Sequence, residues 1–294
     1  MARTNSPLRY PGGKSCLLEL TVELIRLNRL EQGHYAEPYA GGAGLALSLL
    51  FGGHVTDIHI NDVDPAIWSF WHSVLNNGKE FRELVSNTPV TIEEWRKQRE
   101  INRAADMSNT LTLGFSTFFL NRTNRSGVVK SGGVIGGLEQ DGPYKIDCRF
   151  NREDLARRLK RIESYSDRIH LTGLDARKFL SRCQKTLPEK SLLFADPPYF
   201  HKGAALYTSF YKAQDHEKVA SSITGLELPW VVTYDDIPEI RSIYRGYRQY
   251  SFDISYSVQE KRVGTELFIA SKGMKVPESL RQRLVQKPQY RAAA

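Results

Sequence analysis

The sequence predicts an α/β fold of the Rossmann-like, doubly wound kind, interrupted by a mostly helical insert. Three observations carry this. Strand-like apolar segments alternate with helical periodicity at both ends of the chain, and the first such unit contains the glycine-rich turn Pro38-Tyr39-Ala40-Gly41-Gly42-Ala43-Gly44. Between the two ends the alternation stops for roughly 100 residues, which is too long for a connecting loop.

The elements follow in order. A polar lead and Arg9-Tyr10-Pro11-Gly12-Gly13-Lys14 precede an apolar-periodic run through Leu17, Leu20, Leu24, Ile25 and Leu27, a loop feeding a helix. A short strand at 34–37 enters the glycine turn, a helix through Leu45, Leu47, Leu49 and Leu50 follows, and the alternating segment 55–61 ends at Asp62. From 65 to about 106 the pattern is helical and strongly charged, with Trp68, Phe70, Trp71 and Trp95 on its apolar faces. A helix near 111–120 leads into the basic segment 121–149, where Gly127, Gly132, Gly133, Gly136, Gly137 and Gly142 predict turns and hairpins. A helix at 151–165, a strand at 169–172, a helix after Asp175 and the strand 191–195 restore the alternation. Further strands fall at 230–233, about 247–254 and 266–270. The expected division is a catalytic domain of 1–64 and 165–294 around an insert of 65–164.

Composition narrows the class. A chain of 294 residues, 40% hydrophobic and 25% charged, can bury a large core as a soluble globular protein. No apolar stretch approaches the roughly 20 residues of a membrane span, and no secretory signal is visible, so a cytoplasmic location and no membrane partner are expected. The three cysteines are far apart and the seven histidines form no ligand motif, so neither a disulfide nor a metal is indicated. A net charge of +8 suits a polyanionic partner. The excess is concentrated: residues 121–161 hold ten Lys or Arg against five acids, and 272–294 hold six against one.

The strand that ends in Asp196-Pro197-Pro198-Tyr199 places a carboxylate and an aromatic ring at the carboxyl edge of the sheet, where open α/β folds bind ligands. An exocyclic amine on an aromatic ring is a weak nucleophile because its lone pair is delocalised. Hydrogen bonds from that amine to Asp196 and to the Pro197 carbonyl would hold the nitrogen towards tetrahedral geometry and stabilise the developing positive charge. Tyr199 would stack on a base that has left the duplex. Out of context the same string is also a plain turn after a strand. Gly41, Gly42 and Gly44 would let backbone approach a ligand closely, and Asp62 could accept from ribose hydroxyls; a tight turn with a helix-capping Asp is the alternative.

Arg9-Tyr10-Pro11-Gly12-Gly13-Lys14, Glu37-Pro38-Tyr39-Ala40-Gly41-Gly42, Asn61-Asp62, Phe119-Leu120-Asn121-Arg122 and Asp196-Pro197-Pro198-Tyr199, in that order, resemble the Dam-like (DPPY-type, alpha-group) DNA adenine N6-methyltransferases from Arg9 to about Ala270. The resemblance implies a seven-stranded methyltransferase sheet with a target-recognition insert, and S-adenosyl-L-methionine as cofactor. It implies methyl transfer to N6 of adenine in double-stranded DNA by base flipping, catalysed at Asp196, Pro197 and Tyr199. It implies cofactor contacts at Tyr10, Lys14, Asp62 and Asp196, to which Glu37, Tyr39, Gly41, Gly42 and Asp175 are added; Asp175 serves equally as a helix N-cap. A bacterial or phage origin and a restriction or defence-system partner belong to the same expectation.

The insert offers Asn121, Arg122, Asn124, Arg125 and Lys130, with Lys145 and Arg149, as DNA-binding candidates. Arg and Asn pair bidentately with guanine and adenine edges, although each also makes phosphate contacts that specify nothing. The run Val128-Val129-Lys130-Ser131-Gly132-Gly133 departs from the hairpin of GATC-reading family members, which leaves the target sequence open. Thr233-Tyr234-Asp235-Asp236 resembles a family element bordering the site. Two other readings compete: methylation of another planar amine, in RNA or protein, and a non-catalytic DNA-binding subunit that keeps the fold.

Overall fold

The computed structural model describes residues 5–9, 14–200, 211–258 and 260–281. Seven strands form one sheet: β1 (Gly33–Glu37), β2 (Val55–Asn61), β3 (Ile169–Thr172), β4 (Ser191–Ala195), β5 (Trp230–Asp235), β6 (Arg248–Val258) and β7 (Glu260–Ala270). Their order is β3-β2-β1-β4-β5-β7-β6. Strands β1 to β5 are parallel, and β7 runs antiparallel to both β5 and β6. Chain order reverses between β1 and β4, so the crevice at their carboxyl ends is the topological switch point of the sheet.

Successive side chains of the central strands point to opposite faces of the sheet, and both faces are covered. Tyr35, Leu192, Phe194, Val231 and Phe268 point into one core, while Ala36, Leu193, Ala195, Val232, Leu267 and Ile269 point into the other. The first core is shared with α1 (Leu18–Leu27) and α2 (Gly44–Phe51), and the second with α8 (Ala176–Thr186), α9 (Ala213–Thr224) and α10 (Pro238–Ile243). A last short helix, α11, is Glu278–Arg281.

All seven expected strands are present, but β6 and β7 are longer than predicted, pairing as far as Val258↔Glu260. Residues 255–265 are mostly polar and small, so no apolar alternation marked them as strand. The sequence reading also passed over α9, although His216, Val219, Ala220 and Ile223 form its buried stripe and the Asp215 carboxylate caps its start by accepting from Lys212 N at 3.1 Å.

The insert is helical as expected: α3 (Pro65–Asn76), α4 (Gly78–Asn87), α5 (Ile92–Ala104), α6 (Thr110–Thr123) and α7 (Arg152–Glu163). Asp64, Thr91, Asn109 and Asn151 cap four of these helices through their side chains. The helical pattern predicted over 65–106 is three helices, separated at Asn77-Gly78 and Thr88-Pro89. Among the described residues, 128–150 form turns, tied back to the end of α6 by a bridge between Asn124 and Val134.

The insert has no separate core. Phe70, Trp71, Phe81, Phe115, Phe118, Leu155 and Ile162 belong to the same buried cluster as Tyr35 and Phe194 of the sheet. Gly114 sets the closeness of α6 to α3, since a Cβ there would stand 2.5 Å from the Ser69 carbonyl oxygen. Gly114→Ala is therefore expected to force the two helices apart and cost about 1–3 kcal/mol, read as a lowered midpoint in urea unfolding. Among the described residues, no helix is long and apolar enough to cross a membrane.

Candidate active site

The residues that the sequence singled out converge on the carboxyl ends of β1, β2 and β4. After β1 the backbone turns through two left-handed positions, Gly41 (φ 46°) and Ala43 (φ 45°). Glycine adopts the first without strain; the second carries a Cβ and costs of order 1 kcal/mol, a strain typical of ligand-clamping turns. Two contacts hold the turn. Trp71 Nε1 of the insert donates to Gly41 O at 2.9 Å, and Gly41 N donates to Asp62 Oδ2 at 2.9 Å. Asp62 Oδ1 accepts from Asp64 N at 3.0 Å. Burial pushes the Asp62 carboxyl up to about 6 despite these donors.

Asn61 ties three strand ends together. Its amide donates to Pro38 O at 3.0 Å and Leu174 O at 2.9 Å, while Oδ1 accepts from Leu174 N at 2.8 Å and Thr172 Oγ1 at 2.7 Å. Beside it, Glu37 is buried and accepts from Tyr35 OH at 2.9 Å. Burial, reinforced by the nearby Asp196 charge, pushes Glu37 up to about 8.

A carboxyl whose folded pKa is raised stabilises the fold fully below its unfolded value of about 4.5, and that stability is lost as pH rises through about 8. Glu37→Gln is therefore expected to gain on the wild type as pH rises from 5 to 8, by roughly 5 °C in Tm at the upper end. The comparison with the wild type matters because His59, held down to about 3 by burial with His170 and His34 beside it, gives an opposite slope at acid pH.

The second half of the site is built on β4 and β5. Asp196 is fixed through both oxygens: Oδ1 accepts from Thr233 Oγ1 at 2.7 Å, and Oδ2 pairs with Lys14 Nζ at 2.9 Å. The same ammonium reaches Glu266 Oε1 at 3.4 Å, and Tyr199 OH donates to that oxygen at 3.0 Å. Pro197 and Pro198 are buried, Tyr199 is partly exposed, and Lys14 lies 5.9 Å from the Tyr199 ring centroid. Asp235 Oδ1 accepts from Phe200 N at 3.3 Å. Behind the corner, the Phe200 ring stands 4.8 Å from buried His216, whose Nδ1 is 2.7 Å from Tyr234 OH.

Lys14 and Asp196 thus meet directly, Tyr199 joins them through Glu266, Gly41 is bonded to Asp62, and Gly42 lies in the same turn. Glu37 adjoins Asp196 electrostatically. The Tyr39 hydroxyl is 2.9 Å from that of Tyr211, so its polar end serves the packing around α9. Asp175 is exposed and accepts from Arg177 N and Lys178 N at the start of α8, the capping alternative raised by the sequence. Tyr10, with Pro11, Gly12 and Gly13, lies outside the described residues.

The insert candidates divide into two groups. Asn121 is buried, with Oδ1 accepting from Arg9 N at 2.7 Å and Nδ2 donating to Arg9 O and Gly127 O, both at 2.8 Å. Asn124 is equally buried, accepting from Trp95 Nε1 at 2.7 Å and donating to Val128 O and Val129 O. With both amide hydrogens committed inside the chain, neither side chain is presented as a base reader in this structure. Arg122 braces the Arg149 carbonyl, and burial, with the Arg9 charge adding, lowers it to about 9. Arg125 and Lys130 are exposed, Lys130 lying 3.6 Å from Asp64, and Lys145 and Arg149 are exposed as well.

Three participants were not legible as such. Glu266 follows a polar stretch and opens the apolar run Leu267-Phe268-Ile269-Ala270; an acid bordering a buried strand is the one signal that a cationic partner exists. Trp71 read as core, and its indole N–H is what reaches the glycine turn. Thr233 was read within an element bordering the site, but its hydroxyl contact with Asp196 was not foreseen.

Comparison with known proteins follows from this geometry. Solved structures similar to the chain include a Pyrococcus horikoshii protein described as an RNA methyltransferase, at 11% identity and TM-score 0.42 over 90% of this chain and 84% of that one. TrmN from Thermus thermophilus matches at 10% identity and TM-score 0.38, covering 85% and 47%. A Listeria monocytogenes protein described as a class I S-adenosylmethionine-dependent methyltransferase matches at 9% identity and TM-score 0.38, covering 97% and 72%. No curated protein matches the sequence. The family model for D12 class N6 adenine-specific DNA methyltransferases matches residues 10–262, which include the glycine turn, Asp62 and the Asp196 corner. The chain belongs to the D12 class N6 adenine-specific DNA methyltransferase family.

Proposed function

We propose that the chain methylates N6 of adenine in duplex DNA after the base has rotated out of the helix, and that Asp196, Pro197 and Tyr199 perform the transfer. Family membership makes the protein a DNA adenine methyltransferase with S-adenosylmethionine as methyl donor. Bound at the site, that cofactor supplies a methyl group on a positively charged sulfur. The residues present suit it. Asp62 has two fixed backbone donors and a lone pair left on each oxygen for ribose hydroxyls, and the left-handed Gly41 turn keeps backbone N–H groups close to a ligand.

The observation that carries the reading is the double restraint on Asp196, from Thr233 on one oxygen and Lys14 on the other. A carboxylate held in this way does not reorganise when an amine approaches; its remaining lone pairs accept the amine N–H and stabilise the charge that grows on nitrogen. Tyr199, oriented through its hydroxyl, is the ring proposed to stack on the extruded base. Residues 65–164 are proposed as the recognition unit, with Arg125, Lys130, Lys145 and Arg149 among its exposed cations.

The test is methyl transfer from labelled cofactor to DNA prepared from cells without adenine methylation, followed by nucleoside mass spectrometry and sequencing. N6-methyladenine in duplex DNA is expected. Bound cofactor with product confined to RNA or to single strands would sink the duplex reading. The double variant Arg125→Ala, Lys130→Ala is expected to weaken DNA binding uniformly across sequences and to reduce the slope of log K against log salt by about 2, measured by fluorescence anisotropy.

A further inference from the structure

Glu266 is 1% exposed, on β7, beyond the last motif that the sequence offers. Its Oε1 receives both the Tyr199 hydroxyl, at 3.0 Å, and the Lys14 ammonium, at 3.4 Å. That ammonium is also 2.9 Å from Asp196 Oδ2. One oxygen of β7 therefore links the ring that would face the base to the counter-ion of the carboxylate that would hold the amine.

The sharing has an electrostatic consequence. An ammonium confined to Asp196 alone would neutralise it and compete with the substrate amine for its lone pairs. A second buried acid divides the cation, so the Lys14, Asp196 and Glu266 cluster keeps a net negative charge when all three are ionised. We propose that Glu266 is a positioning residue for methyl transfer: it fixes the Tyr199 ring and draws part of the Lys14 charge away from Asp196, which remains a strong acceptor for the amine. This rests on the roles of Asp196 and Tyr199 proposed above.

The titratable groups around Glu266 are Lys14, Asp196, Tyr199 and Cys16, with Glu37 beyond Asp196. Burial raises the Glu266 carboxyl and the Asp196 charge raises it further, while Lys14 opposes both. The acceptor effect needs Glu266 ionised, so wild-type kcat should climb with pH as Glu266 loses its proton.

The experiment compares wild type, Glu266→Gln, Tyr199→Phe and the double variant in single-turnover methylation of unmethylated DNA between pH 5.5 and 9. Glu266→Gln is expected to lower kcat about 30-fold and to abolish the limb of the pH profile that Glu266 controls. Tyr199→Phe should lose about tenfold and keep that limb, and the double variant should lose less than the product of the two. Wild-type kcat and an unchanged profile in Glu266→Gln would overturn the proposal. If that variant does not fold, the proposal stands or falls on Tyr199→Phe, for which undiminished kcat overturns it. Should the wild type methylate no DNA, the function proposed above fails instead. The charge sharing is then judged from Tm against pH: Glu266→Gln should gain on the wild type from pH 5 to 8, and parallel curves would refute it.

Discussion

Asp196→Ala is expected to lower the rate of methyl transfer by about 10³ or more, with the fold intact. The loss is of order 4 kcal/mol in transition-state stabilisation, because an acceptor already oriented by Thr233 and Lys14 does not reorganise as water must. Two side effects identify the cause. The Asp196 charge raises the carboxyls of both Glu37 and Glu266, so its removal should let each ionise at lower pH. Lys14 should then pair with Glu266 alone. Single-turnover kinetics measures the rate loss and pH-dependent Tm the carboxyl shifts; a variant that retained more than a tenth of wild-type activity would remove Asp196 from the chemistry.

Asn121→Ala is expected to destabilise the protein by about 3 kcal/mol, since it strands the buried Gly127 carbonyl and the partly buried Arg9 N–H and carbonyl. The sequence reading placed Asn121 among the DNA-contacting residues. The two roles make opposite predictions. A structural amide lowers the urea midpoint and leaves the sequence preference of the folded fraction unchanged, whereas a base reader changes the preference and spares stability. Denaturant unfolding beside methylation sequencing of the variant decides between them. Because Arg9 lies five residues before Lys14, loss of this clamp should also weaken the Lys14 to Asp196 contact.

What the sequence disclosed depended on how each signal is encoded. Strands β4 and β5 were legible because parallel strands buried on both faces are nearly continuous apolar runs, and β2 because apolar and polar residues alternate along it. The glycine turn, Asp62 and the Asp196 corner were legible because their chemistry and their place at strand ends coincide. Asn121 and Asn124 were not, since an amide has the same composition whether it reads a base or closes a backbone loop; only the partners at hydrogen-bond distance distinguish the two. Glu266 escaped for a related reason. Its importance lies in contacts with Lys14, 252 positions away, and Tyr199, 67 positions away, and no local pattern records them. The far end of the β6 and β7 hairpin lacked an apolar alternation altogether.

The bond from Trp71 to the Gly41 carbonyl joins an insert helix to the turn proposed to face the cofactor. If the insert holds DNA as proposed, whatever factor DNA adds to cofactor affinity through α3, the cofactor must return to DNA affinity in equal measure. Trp71→Phe keeps the ring in its core and removes only the N–H, so it should uncouple the two ligands more than it weakens either one.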